Sequence, residues 1–171
     1  MMTLRMLSAA VAIFLSGVSA LPAAELIGSW QGQLTGADGS TSDVQIDFSP
    51  KGFPLYSYTN NRGLTRQAEL SHIGQMIEYV PAGGGVQRVV VQSLEKGPGR
   101  LSIGIASSFE RASSGYLDQR QEAALIEYAL VPEGLQMRVT VESAAHFGDK
   151  HGMVGSAPDA AVAEGLLQRI P

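Results

Sequence analysis

Two imidazoles and a carboxylate fall within the six residues His146-Phe147-Gly148-Asp149-Lys150-His151, a grouping that zinc or copper can use. The step of five between the histidines matches no established ligand spacing, and no third firm ligand follows. The stretch reads as a solvated polar loop, and no metal is expected. His72 stands alone. Carboxylates are plentiful from Glu110 through Asp118 and Glu122 to Glu127. General acid–base catalysis needs two of them held together. Their spacing assigns no such pair, and carboxylates on exposed turns commonly serve solubility. Beyond residue 20 there is no nucleophile elbow, no His-Glu-x-x-His, no phosphate loop and no dinucleotide fingerprint. Cysteine is absent, which excludes thiol catalysis, disulfides and thiolate metal sites together. The sequence therefore assigns no catalytic residue and no cofactor.

What remains is the chemistry of binding. Tyr56 and Tyr58 alternate onto one face of a short aromatic strand, where their rings can stack on a ligand or pack as half-polar core. Arg66 and Arg88 sit within strand patterns beside Ala68 and Val90. An arginine inside a barrel anchors a carboxylate head group through its paired donors, whereas an outward one covers apolar surface with its stem. Gly28-Ser29-Trp30 opens the first expected strand. This tripeptide resembles the Gly-x-Trp signature of lipocalins and related small β-barrels, and the strand count is compatible with that architecture. The resemblance implies a barrel whose narrow end is closed by Trp30 and whose cavity takes small apolar ligands. It covers three residues. The family's Thr-Asp-Tyr block has no counterpart, and Arg138 alternates away from Leu135 and Met137 rather than toward the tryptophan. Trp30, Tyr56, Tyr58 and Arg88 are the candidate ligand-binding residues.

The elements that must position them follow an apparent leader. Met1 to Arg5 carries one positive charge, Met6 to Leu15 is apolar but too short to span a bilayer, and Val18-Ser19-Ala20 supplies small residues at the usual cleavage positions. Residues 1–20 thus read as a cleavable signal peptide, and the protein as periplasmic or secreted. No cysteine follows the apolar run, so a lipoprotein anchor is not expected. Removing the leader with Arg5 shifts the formal net charge from −4 to −5. That balance argues against a nucleic-acid partner, whose phosphates need a basic face. No later apolar run reaches spanning length, so no transmembrane segment is expected in the mature chain.

From Trp30 onward the dominant period is two. Asp43-Val44-Gln45-Ile46-Asp47-Phe48 alternates completely, and Asp38-Gly39 supplies a turn between it and Trp30–Leu34, which predicts a hairpin. Leu55–Thr59, Leu64–Leu70, Gln75–Val80, Val86–Leu94, Leu101–Phe109, Ala123–Leu130 and Leu135–Ser143 read as further strands with turns between them. Arg111–Leu117 is the longest polar connection among them and reads as a lid or rim. The pattern predicts an all-β antiparallel meander closing into a barrel, or alternatively a two-sheet β-sandwich, over residues 21–155. Ala144–Gly155 reads as a Gly-rich loop. Residues 156–171 are predicted to form a short C-terminal helix, with Val162, Leu166 and Ile170 on one stripe.

Two functions fit this reading. One is non-catalytic binding of a small apolar or amphipathic ligand in a barrel cavity. The other is a periplasmic protein-interaction module, such as an inhibitor or an accessory subunit of an envelope assembly, working through its surface. A cavity lined by apolar side chains would favour the first, and a solid interior with a surface patch the second.

Overall fold

Residues that alternate in polarity build strands, and strands bury one face at a time. The computed structural model describes residues 26–113, 116–148 and 161–171, and all regular structure among them is β-strand. The expected signal peptide lies outside the described residues. In chain order the strands are β1 (Gly28–Gly36), β2 (Thr41–Phe48), β3 (Leu55–Thr59), β4 (Thr65–Glu69) and β5 (Met76–Tyr79), then β6 (Val86–Gly97), β7 (Arg100–Ser113), β8 (Tyr116–Val131), β9 (Gly134–Gly148) and β10 (Ala161–Ile170). Eight of them form one sheet in the order β2-β1-β10-β9-β8-β7-β6-β5, while β3 and β4 pair as a separate hairpin. Every pairing is antiparallel.

The predicted β1–β2 hairpin forms around Asp38. Its carboxylate accepts hydrogen bonds from the Ser40 backbone N–H at 2.9 Å and the Ser40 hydroxyl at 2.6 Å, while Gly39 takes φ +80° at the tip. These two bonds also hold the exposed Asp38 carboxyl below its ordinary pKa.

Three expectations are corrected. The C-terminal helix is not formed: residues 161–170 are β10, inserted between β1 and β9. The spacing of four between Val162, Leu166 and Ile170 fits a helical stripe, but it also fits one face of a strand, because four is even. The other face carries Ala163, Gly165 and Leu167, which lie opposite Val139, Met137 and Leu135 of β9. Completing a sheet satisfies the backbone of three strands at once, and that outweighs local helix propensity. In the expected Arg111–Leu117 lid, residues 111–113 and 116–117 are strand instead, since Arg111 pairs with Asp118 and Ala112 with Leu117 as the β7–β8 ladder runs on. β9 also extends to Gly148, past the Ser143 limit read from the sequence.

The hydrogen-bonded ladder has β2 and β5 as its edges, so it does not close on itself among the described residues. It is nonetheless strongly curled. In a flat sheet β2 and β8 would stand roughly 19 Å apart, four strand spacings. Yet the rings of Phe48 and Tyr128 meet edge to face with centroids 5.2 Å apart. Lys96 of β6 likewise reaches across to donate to the Lys51 carbonyl just after β2, and its ammonium lies 4.4 Å from the Phe53 ring centroid. The β3–β4 hairpin spans the gap between the edges. A single bridge ties Phe48 to Pro54 on one side, and the Asn61 N–H donates to the Val80 carbonyl at 2.7 Å on the other.

The core lies on the concave face. Ile103, Leu135 and Leu167 are fully buried there, with Leu101, Val91, Val89, Met137 and Tyr128 around them. Burial raises the Tyr128 phenol pKa far above its ordinary value, so the ring enters the core uncharged. Gly165 marks where β10 approaches β1 most closely, since a Cβ there would collide with the Gln33 carbonyl. Gly165→Val is therefore expected to cost about 2–3 kcal/mol or more by forcing the two strands apart. Chemical denaturation would measure it. A loss below about 0.5 kcal/mol would show that the ladder yields freely.

Candidate functional site

Trp30 is 7% exposed at the start of β1. Its indole N–H donates to the Ile27 carbonyl at 3.3 Å, which satisfies the polar edge of an otherwise apolar ring. Directly opposite in the β1–β10 ladder is Arg169, whose guanidinium carbon stands 5.8 Å from the Trp30 ring centroid. That geometry is a cation–π contact. Gly28 completes the arrangement. It holds φ +82°, and a Cβ at this position would press to 3.3 Å from the Arg169 guanidinium. The glycine of the tripeptide thus has two reasons to be glycine, its backbone conformation and the arginine above it. Gly28, Ser29, Arg169, Ile170 and Pro171 line an open depression of about 470 Å³ at this end.

Tyr56 and Tyr58 both reach the core side of the β3–β4 hairpin, where Tyr79 of β5 joins them. The Tyr56 and Tyr58 rings stack with centroids 6.1 Å apart, and Tyr58 and Tyr79 stand at 4.8 Å. The hydroxyls of Tyr56 and Tyr79 share a hydrogen bond of 3.3 Å. Burial, followed by that hydrogen bond, raises the Tyr56 pKa far above its ordinary value, so the phenol stays neutral. The three rings close the gap between hairpin and sheet with half-buried aromatic surface.

Arg88 is placed elsewhere. Its neighbours Gln87 and Val89 belong to the concave face, so Arg88 lies on the convex one and pairs there with Glu78 at 2.7 Å. Arg66 is exposed, opposite Tyr58 in the hairpin. The structure therefore brings Trp30, Tyr56 and Tyr58 to the concave side and leaves Arg88 outside.

Residues that sequence reading did not single out complete the site. Register places Ala163, Val139 and Ile126 side by side across β10, β9 and β8, with Ile105 of β7 one step along. All four are apolar, all share the concave face, and all are only partly buried. Further along the same face the lining turns polar, through Ser107 and Glu122 to Phe109 and Arg120, then Arg111 and Asp118. Asp118 is 1% exposed. It accepts two hydrogen bonds from Arg120, at 3.3 and 3.2 Å, and lies 3.9 Å from the Arg111 guanidinium. Arg120 also sits 5.9 Å from the Phe109 ring centroid.

The sequence pattern places Asp118 among several turn carboxylates and Arg169 within a C-terminal helix. Only the strand assignment of β10 places Arg169 opposite Trp30, so no local signal could have found it. Among the described residues no three His, Cys, Asp or Glu side chains gather to hold a metal ion. Of the His146–His151 cluster, His146–Gly148 fall on the end of β9 with their side chains outside the described ones, and Asp149–His151 lie outside the described residues. Comparison of the chain with protein-family models, with curated proteins and with solved structures found no match.

Proposed function

We propose that this chain is an exported, lipocalin-like binding protein that takes a small, partly apolar molecule against the concave face of its curled sheet, without catalysis. The observation that carries the reading is the half-buried run Ala163, Val139, Ile126 and Ile105. In a solidly packed interior the inward residues of central strands are the most buried, as Ile103, Leu135 and Leu167 are here. Apolar groups left partly open on a concave surface are what a ligand pocket offers. The Arg169 contact over Trp30 supports the resemblance to small ligand-binding barrels, with the β3–β4 hairpin standing in for the missing stretch of wall. Trp30 and the Tyr56–Tyr58–Tyr79 group are read as floor and side of the pocket. Polar residues at the other end suit a ligand with one polar terminus.

The test uses Trp30, the single tryptophan of the chain. Titration with lauric, palmitic and oleic acids and with a naphthalene-sulfonate dye is expected to change its emission saturably. At a ligand concentration 100-fold above Kd, the folded state should gain roughly 2.7 kcal/mol. Val139→Thr, close in shape but polar, should weaken binding while the protein stays folded. No saturable change and no thermal stabilisation with any of the probes would overturn the reading.

A second reading has its own observation. Ile73 and Met76 are exposed at the start of β5, a strand with a ladder partner on one side only, and exposed apolar residues beside a sheet edge are features of protein-binding surfaces. In that reading the chain is an interaction module of the cell envelope, and the probes above would leave Trp30 unchanged.

A further inference from the structure

One end of the molecule carries exposed apolar residues on the β3–β4 turn, at the start of the β5–β6 connection and at the start of β8. The β3–β4 turn presents Leu64, 52% exposed. The Asn61 N–H of that turn donates to the carbonyl of Val80, itself 36% exposed at the start of the β5–β6 connection. Arg111, near the end of β7, donates from Nη1 to the Gly83 carbonyl of the same connection at 3.5 Å. Opposite the next residue of β7, Ala112, stands Leu117, 43% exposed. Six large apolar side chains are conspicuously exposed among the described residues, and three of them stand on this one end.

Around Leu64 the local charge is positive: residues 59–68 carry Arg62 and Arg66 and no carboxylate. Arg62 and Arg66 flank Leu64 and are exposed, and Arg111 and Arg120 keep much of their guanidinium surface in water. Arg111 and Arg120 are paired with the buried Asp118, which leaves Arg62 and Arg66 as the arginines beside Leu64. The whole chain is −4. Exposed leucines beside arginines, outside the core, form a surface that gains apolar burial and phosphate contacts from the same partner.

We propose that this end docks on an anionic lipid bilayer, with Leu64 and Leu117 entering the headgroup boundary while Arg62 and Arg66 meet lipid phosphates. Peripheral proteins bind membranes by this combination of shallow apolar insertion and electrostatic attraction. Neither contribution alone holds a protein at the surface, so docking is reversible and sensitive to salt. The end that docks is also the one toward which the concave face turns polar, so a ligand could pass between bilayer and pocket. The docking itself does not depend on a ligand being bound.

The test is co-sedimentation of the purified protein with vesicles, either phosphatidylglycerol-rich or made of phosphatidylcholine alone, at low and raised salt. Binding to the anionic vesicles that falls as salt rises is expected, with little binding to phosphatidylcholine. An Arg62→Ala/Arg66→Ala double variant should bind on the order of 25-fold more weakly, about 1 kcal/mol for each basic residue near an anionic surface. Leu64→Ser should also weaken binding. Arg62, Leu64 and Arg66 are all exposed, and unchanged thermal unfolding would verify that the variants fold. The proposal is overturned by absent binding to anionic vesicles, by equal binding to both kinds, or by an arginine double variant that binds like the parent. The ligand titration contains no vesicles, so failure there and failure here are separate results.

Discussion

A chain ending at residue 160 is expected not to fold. β10 is paired along both sides, from Ser29↔Ile170 to Gly36↔Ala163 against β1 and from Ala161↔Val141 to Leu167↔Leu135 against β9. Its removal would strip the partner from two strands in the middle of the sheet, and each unpaired backbone group left buried there costs about 1–3 kcal/mol. It would also remove Leu167 from the core and Arg169 from above Trp30. The summed loss exceeds the ~5–15 kcal/mol that holds a typical domain together. Far-ultraviolet circular dichroism and thermal unfolding of the truncated chain would show it as loss of strand signal and of a cooperative transition. A truncated chain that melted cooperatively with the parent's spectrum would mean that β1 and β9 can pair directly, and that β10 is dispensable.

Trp30→Ala should be the most damaging single substitution discussed here, at about 3–5 kcal/mol for an aromatic side chain that is nearly fully buried. For a chain of this size that corresponds to a fall in Tm of roughly 6–20 °C. Trp30→Phe retains much of the packing but not the Ile27 hydrogen bond, and should cost less. Arg169→Gln removes only the cation–π contact, about 0.5–1 kcal/mol at an exposed site. Denaturant unfolding followed by circular dichroism measures all three without relying on the indole signal. If Trp30→Ala cost less than about 1 kcal/mol, Trp30 would not be a packed floor, and the reading of this end as the closed base of a pocket would fall with it.

The strands that were legible in the sequence are those whose alternation is strict and whose turns carry their own chemistry. β2 is the clearest, with Val44, Ile46 and Phe48 against Asp43, Gln45 and Asp47, and the Asp38–Gly39 turn needs nothing from the rest of the chain to form. The Val89–Val91 centre of β6 and the Leu135–Val141 run of β9 were equally readable, because their apolar residues announce a buried face directly. The aromatic positions Tyr56 and Tyr58 were legible as a pair on one face for the same reason.

Composition and period by themselves determined the all-β antiparallel class and the absence of cysteine chemistry, because both depend only on residue type and on spacing of two. They also marked Trp30 and the tyrosines as residues to watch. Tertiary structure alone decided the rest. The spacing of Val162, Leu166 and Ile170 is the same in a helical stripe and on one strand face, and only the open place between β1 and β9 selects the strand. The face on which Arg88 lies depends on where β6 pairs with β5 and β7, since a shift of one residue would turn it inward. Arg169 comes to Trp30 across 139 positions of chain through a ladder that no local pattern encodes. Asp118 became a buried carboxylate between two arginines only because β7 and β8 run on past the apolar core. Alternation sets which residues can share a face, but pairing partners and register decide which of them meet.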